Sequence, residues 1–449
     1  MITKGTRRRG WPRRAALVAA AAAAAIFAAA RMLPSRAVAA GDTITLGAAV
    51  SLTGKYSTNG KNTLDGYQLA VKRINELGGV KVGERTYRLA IKYYDDESTS
   101  ARGAQLVERL ITQDGIKYIL GPYSSGLTKA IAPVTEKYQL PMVEGNGADR
   151  SLFTHGFRYL FAVLNTSDHY LRSAVTLLAD HAKDLGRKPS DVKIAIAIEN
   201  DDFSQDVRDG VVEDAKRLGM QVVIDDKLPP EVNDMSSTLT KVKALRPDML
   251  AVSGHAKGAT LAVRQVAEQQ VQVPMLALTH CDSAQIAEKF PRDAEYAVCG
   301  SQWDEGLAYS DKWFGSAHDY AERFKKEFGY EAPYQAAEST ASVLVFVDAF
   351  TRAKSLDPKK VRDAIAATDM MTFFGPIKFD ETGKNVAKSM VLYQVQGGQY
   401  KVVAPERWAR SKLIFPMPPW SERGAPASAS HATPGPTGSG TASGTGSGR

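Results

Sequence analysis

Residues 44–50 form a short apolar run, which predicts a buried strand. Leu64, Tyr67, Val71, Ile74 and Leu77 then recur at three- and four-residue steps, one face of a helix, and Gly78-Gly79 stops it. Leu89, Ile91 and Tyr93 alternate as a strand before Asp95-Asp96. Ala104, Val107, Leu110 and Ile111 make the next helix face. A strand over 118–120, a helix over 128–138 and a strand over 141–143 follow. The same alternation restarts further on. Strands over 192–198, 220–224, 249–252 and 274–278 are separated by helices over 207–218, 235–245 and 261–269. Parallel strands joined by crossover helices bury both sheet faces, so each series predicts a doubly wound α/β unit.

The last third mixes its elements. Helices are predicted over 317–328, 334–353 and 361–367, and strands over 377–379, 390–395 and 400–403. Tight turns are expected at Glu381-Thr382-Gly383 and Gly397-Gly398. This segment has to complete both units, so the chain is expected to cross between them more than once. The predicted fold class is α/β: two doubly wound parallel-sheet lobes joined by a hinge with multiple crossovers. Lobe 1 is expected over 42–162 with 306–375, and lobe 2 over 163–305 with 376–416.

The chain has 449 residues, which suits two or three domains rather than one core. Its 44% hydrophobic and 24% charged residues are those of a globular protein and exclude a multi-span membrane protein or a fibre. The formal net charge of +8 comes entirely from Lys4, Arg7, Arg8, Arg9, Arg13, Arg14, Arg31 and Arg36. The remainder is neutral, so no nucleic-acid partner is expected. Those cations belong to an export signal over 1–40: a basic start, an Ala-rich apolar run over 15–30, and small residues through Ala39-Ala40-Gly41. Cleavage is expected near Ala39 or Ala40, with no Cys nearby to carry a lipid, and the mature protein is placed in the periplasm. From Ser421 to Arg449 the chain is largely Gly, Ser, Thr, Ala and Pro, and a disordered tail is expected over 421–449.

Enzyme signatures fail one by one. Gly54 to Asn62 superficially resembles a phosphate loop, but five residues separate its glycines and it ends in Asn where a hydroxyl belongs. Gly145-Asn146-Gly147 lacks the third glycine of a dinucleotide fingerprint. Gly121-Pro122-Tyr123-Ser124-Ser125-Gly126 is not a nucleophile elbow. His280, Cys281, Asp282 and Cys299 lack the spacing of a zinc site. No catalytic residue, cofactor or metal is therefore expected. In an oxidising compartment Cys281 and Cys299, read as lying on successive strands, are a disulfide candidate.

Ligands of open parallel sheets sit beyond the carboxyl ends of the strands. Here those ends read Ser51 to Gly54, Gly121 to Gly126, Glu144 to Asp149, Asn200 to Phe203, Gly254-His255 and Thr279 to Asp282. Ser124-Ser125-Gly126 stands just before a helix, where hydroxyls and backbone N–H groups either hold an anion or simply cap the helix.

Taken in order, several of these segments resemble the periplasmic solute-binding proteins of branched-chain amino acid type. They are Gly60, Asp65-Gly66, Asn75, Gly78-Gly79, Asp95-Asp96, Gly121 to Gly126, Pro133, Glu136 to Tyr138, Pro141 to Val143, Phe374-Gly375-Pro376 and Gly383. The similarity runs over about residues 42–405. It implies a type I bilobed fold, a small-molecule ligand held between lobes that close by hinge bending, and the membrane permease of an ABC importer as partner. By position, Ser124 or Ser125 would hold the ligand carboxylate, and Asn146 and Ala148 would give backbone contacts. Asn59, Phe203, His255 and Tyr334 would line the pocket. The acid that meets a ligand ammonium would fall near 279–282, where His280 occupies the aligned position and Asp282 is the nearest acid. The expected function is capture of a small carboxylate, an amino acid or an aromatic or other organic acid, by a monomeric receptor. A periplasmic sensor of the same fold is the alternative, with an α/β enzyme behind it.

Overall fold

The computed structural model describes Met1 and residues 43–423. The export signal read over 1–40 and residues 424–449 of the tail lie outside the described residues. The first sheet uses Thr43–Val50 (β1), Val80–Val82 (β2), Arg85–Asp95 (β3), Ile119–Leu120 (β4), Met142–Glu144 (β5) and Leu160–Ala162 (β6), in the order β2-β3-β1-β4-β5-β6. Pairing is parallel from β1 through β4 and β5 to β6. Its helices are Ser57–Glu76 (α1), Ser100–Thr112 (α2) and Ser125–Tyr138 (α3).

The second sheet begins after Arg172–Asp180 (α4). Lys193–Glu199 (β7), Gln221–Leu228 (β8), Met249–Ser253 (β9), Met275–Leu278 (β10) and Val298–Ser301 (β11) pair in parallel. Between them run Asp202–Arg217 (α5), Ser236–Leu245 (α6), Ala256–Glu268 (α7) and the short helices Cys281–Ala284 (α8) and Ile286–Lys289 (α9). The chain then returns to the first half. There it forms the hairpin Ser310–Asp311 (β12) with Gly315–Ser316 (β13), then Ala317–Phe328 (α10), Tyr334–Ala353 (α11) and Pro358–Ala366 (α12). α11 packs on α1 and β5. Asp369–Thr372 (β14) pairs with Gly375–Lys378 (β15), so a lobe boundary at 375/376 falls inside a hairpin strand. Finally Val391–Gln396 (β16) and Gln399–Ala404 (β17) add antiparallel to β11, giving the order β17-β16-β11-β10-β9-β7-β8. The chain thus passes between the halves three times, and the fold is the predicted type I architecture.

Several helices start earlier than their apolar stripes. α1 begins at Ser57, α5 at Asp202 and α7 at Ala256. Their first turns, Phe203 apart, carry polar or small residues, so apolar periodicity starts a turn late. Gly60 shows why small residues are needed: a Cβ there would lie 1.9 Å from the Ser51 carbonyl oxygen. Gly66 likewise lets α11 approach α1, since its Cβ would fall 2.3 Å from the Ala336 oxygen. Elsewhere the boundaries follow local chemistry. Asp201 caps α5 by accepting from Ser204 N, and a Ser316–Asp319 capping box opens α10, which Gly329 closes at φ 80°.

Two further readings are corrected. Cys281 opens the short helix α8 rather than lying on a strand, and is bonded to Cys299 of β11. Residues 421–423 are not tail. Arg423 is buried, donates to the Pro418 carbonyl at 3.0 Å and lies over the Trp420 ring at 3.6 Å. Trp420 in turn donates to the Val271 carbonyl, which ties this end to the second half.

Candidate functional site

Each sheet reverses its winding at one place: between β1 and β4 in the first, and between β7 and β9 in the second. Helices leave in opposite directions there and open a crevice beyond the strand ends. The two crevices face each other. Tyr123, Ser124 and Ser125 come from the end of β4 and Asn146 from β5. Opposite them stand Asp201 and Phe203 after β7, His255 after β9 and His280 after β10. α11 adds Tyr334, Gln335 and Glu338 from the side.

Backbone at these strand ends is unusual. Ser124 sits at φ 89°, ψ 151° and His280 at φ 61°, ψ 27°. Positive φ at a residue with a side chain costs roughly 1–3 kcal/mol and persists where the surroundings demand it. At Ser124 that conformation turns the chain from β4 into α3, with the hydroxyl accepting from Leu127 N at 3.4 Å.

The two halves touch through polar contacts. The Tyr123 hydroxyl lies 2.7 Å from His255 Nδ1 and 2.9 Å from His280 Nε2. Asp201 Oδ2 lies 3.1 Å from His255 Nε2. With Nε2–H donating to that carboxylate, Nδ1 accepts from Tyr123. Burial would raise the Asp201 carboxyl, but His255 holds it below its ordinary value. Burial, reinforced by His255, pushes His280 well below its own, so its imidazole stays neutral. Asn59 donates to Ser283 across the same boundary at 3.1 Å, and Tyr334 N donates to Asp282 Oδ2 at 2.9 Å.

The enclosed space is small. Its cavity volume is about 10 Å³, near the minimum for one water. An adjoining recess of about 170 Å³ is walled by Tyr56, Asp202 and Gly126. Aromatic rings pack around the inner space: Tyr170 to Phe203 at 5.0 Å, Phe203 to His280 at 4.9 Å and Tyr56 to His255 at 4.6 Å between centroids. Its polar wall contains orphaned atoms. Asn146 Oδ1, the Tyr334 hydroxyl, both amide atoms of Gln335 and Glu338 Oε2 are buried without a hydrogen-bond partner. Leaving such a group unpaired costs about 1–3 kcal/mol, so a polar guest that reaches these atoms is favoured.

The sequence-predicted residues divide. Ser124, Ser125, Asn146, Phe203, His255 and Tyr334 line the cavity. Asn59 is an inter-lobe contact behind it. Ala148 does not reach it: its N–H donates to Ser125 Oγ, and its carbonyl accepts from Ser167. Asp282 stands outside, because its two oxygens already accept from Tyr334 N and Ser283 N. Sequence reasoning gave no role to Tyr123, Tyr170, Gln335 or Glu338. A signal for the last two existed. Gln335, Glu338, Ser339 and Ser342 form a polar stripe on a helix buried almost all round, where unpaired polar groups are costly.

Among the described residues, Glu199, Asp201 and His255 bring metal-ligand atoms within 4.8 Å of one another. Several of their atoms are already engaged. Glu199 Oε1 accepts from Glu231 N, with Lys55 3.9 Å away, and Asp201 serves Ser204 and His255. No helix among the described residues is long and apolar enough to cross a membrane.

Two doubly wound halves that meet at their strand ends over a buried, polar and aromatic space define a bilobed binding architecture. A family model described as "Periplasmic binding protein" matches residues 43–399, and the chain belongs to that family. A relative from Brucella abortus (strain 2308), named Leu/Ile/Val-binding protein homolog 8, is 24% identical over 382 residues, covering 83% of this chain and 93% of the relative. The leucine-binding protein LivK of Thermotoga maritima shares the fold with a TM-score of 0.69 at 22% identity, covering 80% of this chain and 97% of that one. A solute-binding protein of an ABC transporter from R. palustris, solved with benzoate, also has a TM-score of 0.69, at 16% identity over 80% of this chain and 95% of that one.

Proposed function

We propose that the protein is an exported receptor that captures a small carboxylate between its lobes and delivers it to the membrane permease of an ABC importer. The observation that carries this reading is the buried cavity at the paired switch points, with Ser124 and Ser125 at the start of α3 on one side and imidazoles on the other. A helix start favours an anion, and each serine hydroxyl keeps its proton to donate while its oxygen accepts from backbone N–H. The family supports binding rather than catalysis, and the relatives named for leucine, isoleucine and valine or solved with benzoate support an amino acid or aromatic acid.

The lobes are read as 42–162 with 306–375 and 163–305 with 376–416. The three passages between the halves, after β6, after β11 and after β15, serve as the hinge. A solute of amino-acid size enters the space only when the lobes part, so binding proceeds by opening and closure. The mature protein acts as a periplasmic monomer starting at Ala40 or Gly41, without lipid. The test is mass spectrometry of any solute released on denaturing the purified mature protein, with a thermal-shift screen of amino acids and organic acids. Stabilisation by sugars or cations but by no carboxylate overturns the reading.

A further inference from the structure

The wall of the cavity on the α11 side holds three unpartnered acceptor oxygens beside two unpartnered donors, the Tyr334 hydroxyl and Gln335 Nε2. Asn146 donates through Nδ2 to Ser339 Oγ at 3.0 Å, and that hydroxyl donates onward to the Gln335 carbonyl at 2.6 Å. This pair of bonds fixes the Asn146 amide, so its oxygen faces the cavity unpartnered. Gln335 Oε1 and Glu338 Oε2 are unpartnered as well, and both residues are 1% exposed. Glu338 is the one carboxyl group among the described residues lining the inner cavity. Asp201, in the adjoining recess, is committed to His255 and Ser204.

Three buried acceptor oxygens, one of them a carboxylate's, match a group with three donors and no acceptor, which is an ammonium. A cation enclosed between closed lobes also needs an anion against it. Burial and the neighbouring Glu144 favour the neutral form of Glu338, while Lys388 works the other way. A bound cation would add to the pull toward ionisation.

We propose that Glu338, with Asn146 Oδ1 and Gln335 Oε1, receives the ammonium of an amino-acid ligand, so that the acid selecting for the amine comes from α11 and not from the region around Asp282. This rests on the reading of the cleft as a carboxylate receptor. Asp282 then acts at a distance from the ligand, holding the start of α11 through Tyr334 N.

Calorimetry tests it with the twenty common amino acids, their deaminated analogues (4-methylpentanoate for leucine, 3-phenylpropanoate for phenylalanine) and benzoate, on wild type, Glu338→Gln and Asp282→Asn. The expected result is binding of at least one amino acid, with its deaminated analogue at least about 30-fold weaker. Glu338→Gln should lose about as much for the amino acid and change little for the analogue. Asp282→Asn should weaken both alike. Wild-type preference for acids without an amine, or an unchanged amino-acid affinity in Glu338→Gln, overturns the ammonium site and leaves the carboxylate receptor standing. Binding of none of these acids overturns both. If Glu338→Gln does not fold, Glu338→Asp takes its place. It keeps the charge but withdraws it by a methylene, and an equal loss for amino acid and analogue overturns the proposal.

Discussion

The Tyr123 hydroxyl, from the end of a first-sheet strand, lies 2.7 Å from Nδ1 of His255, at the end of a second-sheet strand, and closes the cleft from inside. It also meets His280 at 2.9 Å. One oxygen therefore satisfies two buried imidazoles across the gap between lobes.

Tyr123→Phe keeps the ring and removes that oxygen, leaving both imidazole nitrogens short of a partner only when the lobes are closed. The closed form should lose about 1–3 kcal/mol relative to the open one. Small-angle scattering without added solute should give a larger radius of gyration for the variant than for wild type. Equal radii would mean that the Tyr123 bonds do not bias closure.

Ser124 and Ser125 separate by role. Ser125 Oγ accepts from Ala148 N and Asp149 N, both at 3.1 Å, so Ser125→Ala strands two buried donors. A loss of about 1–3 kcal/mol in denaturant unfolding is expected, whatever the ligand. Ser124→Ala gives up only a 3.4 Å cap, and should cost carboxylate affinity at least about tenfold with little change in stability. Calorimetry beside unfolding curves would show the split, and an unchanged dissociation constant for Ser124→Ala would reduce that residue to a cap.

The Cys281–Cys299 bridge closes a segment of 18 residues between α8 and β11. Loop entropy gives such a closure about 3 kcal/mol. Unfolding of the Cys281→Ser, Cys299→Ser double variant should fall by that amount, and wild type in reductant should match it. α8 follows His280 directly, so ligand affinity should fall with it.

Buried acids and a buried imidazole set opposite pH limits. Burial raises Glu144 from its usual value near 4.5 to about 8, against hydrogen bonds from the Gly147 and Asn146 amides. A raised folded value gives stability that is full below about 4.5 and is lost as pH rises toward 8. His280 is lowered instead, so its contribution is full above about 6.5 and lost as pH falls below that. Chemical unfolding of the protein from pH 5 to 9 should show falling stability on the alkaline side. Glu144→Gln, whose amide oxygen can still accept from those backbone amides, should flatten that decline. A parallel decline in the variant would remove Glu144 as its source.

Hydrophobic periodicity alone made the two doubly wound units legible, because strands covered on both faces and one-sided helices leave strong local patterns. The strand ends where ligands sit were legible too, since topology places them there, and Ser124, Ser125, Phe203 and His255 stand at those ends, whereas Tyr334, at the start of α11, came only from the family resemblance. The sequence could not say which strand end faces which. Tyr123 and His255 are 132 positions apart, and only the packing of two sheets puts them in hydrogen-bond contact. The same packing turned Asp282 outward, by giving its oxygens to Tyr334 N and Ser283 N, and turned Glu338 inward on a helix that reads as core. A side chain's partners are fixed by long-range contacts, so its chemistry at a cleft is decided by tertiary structure, while periodicity along the chain decides only which segments can form that structure.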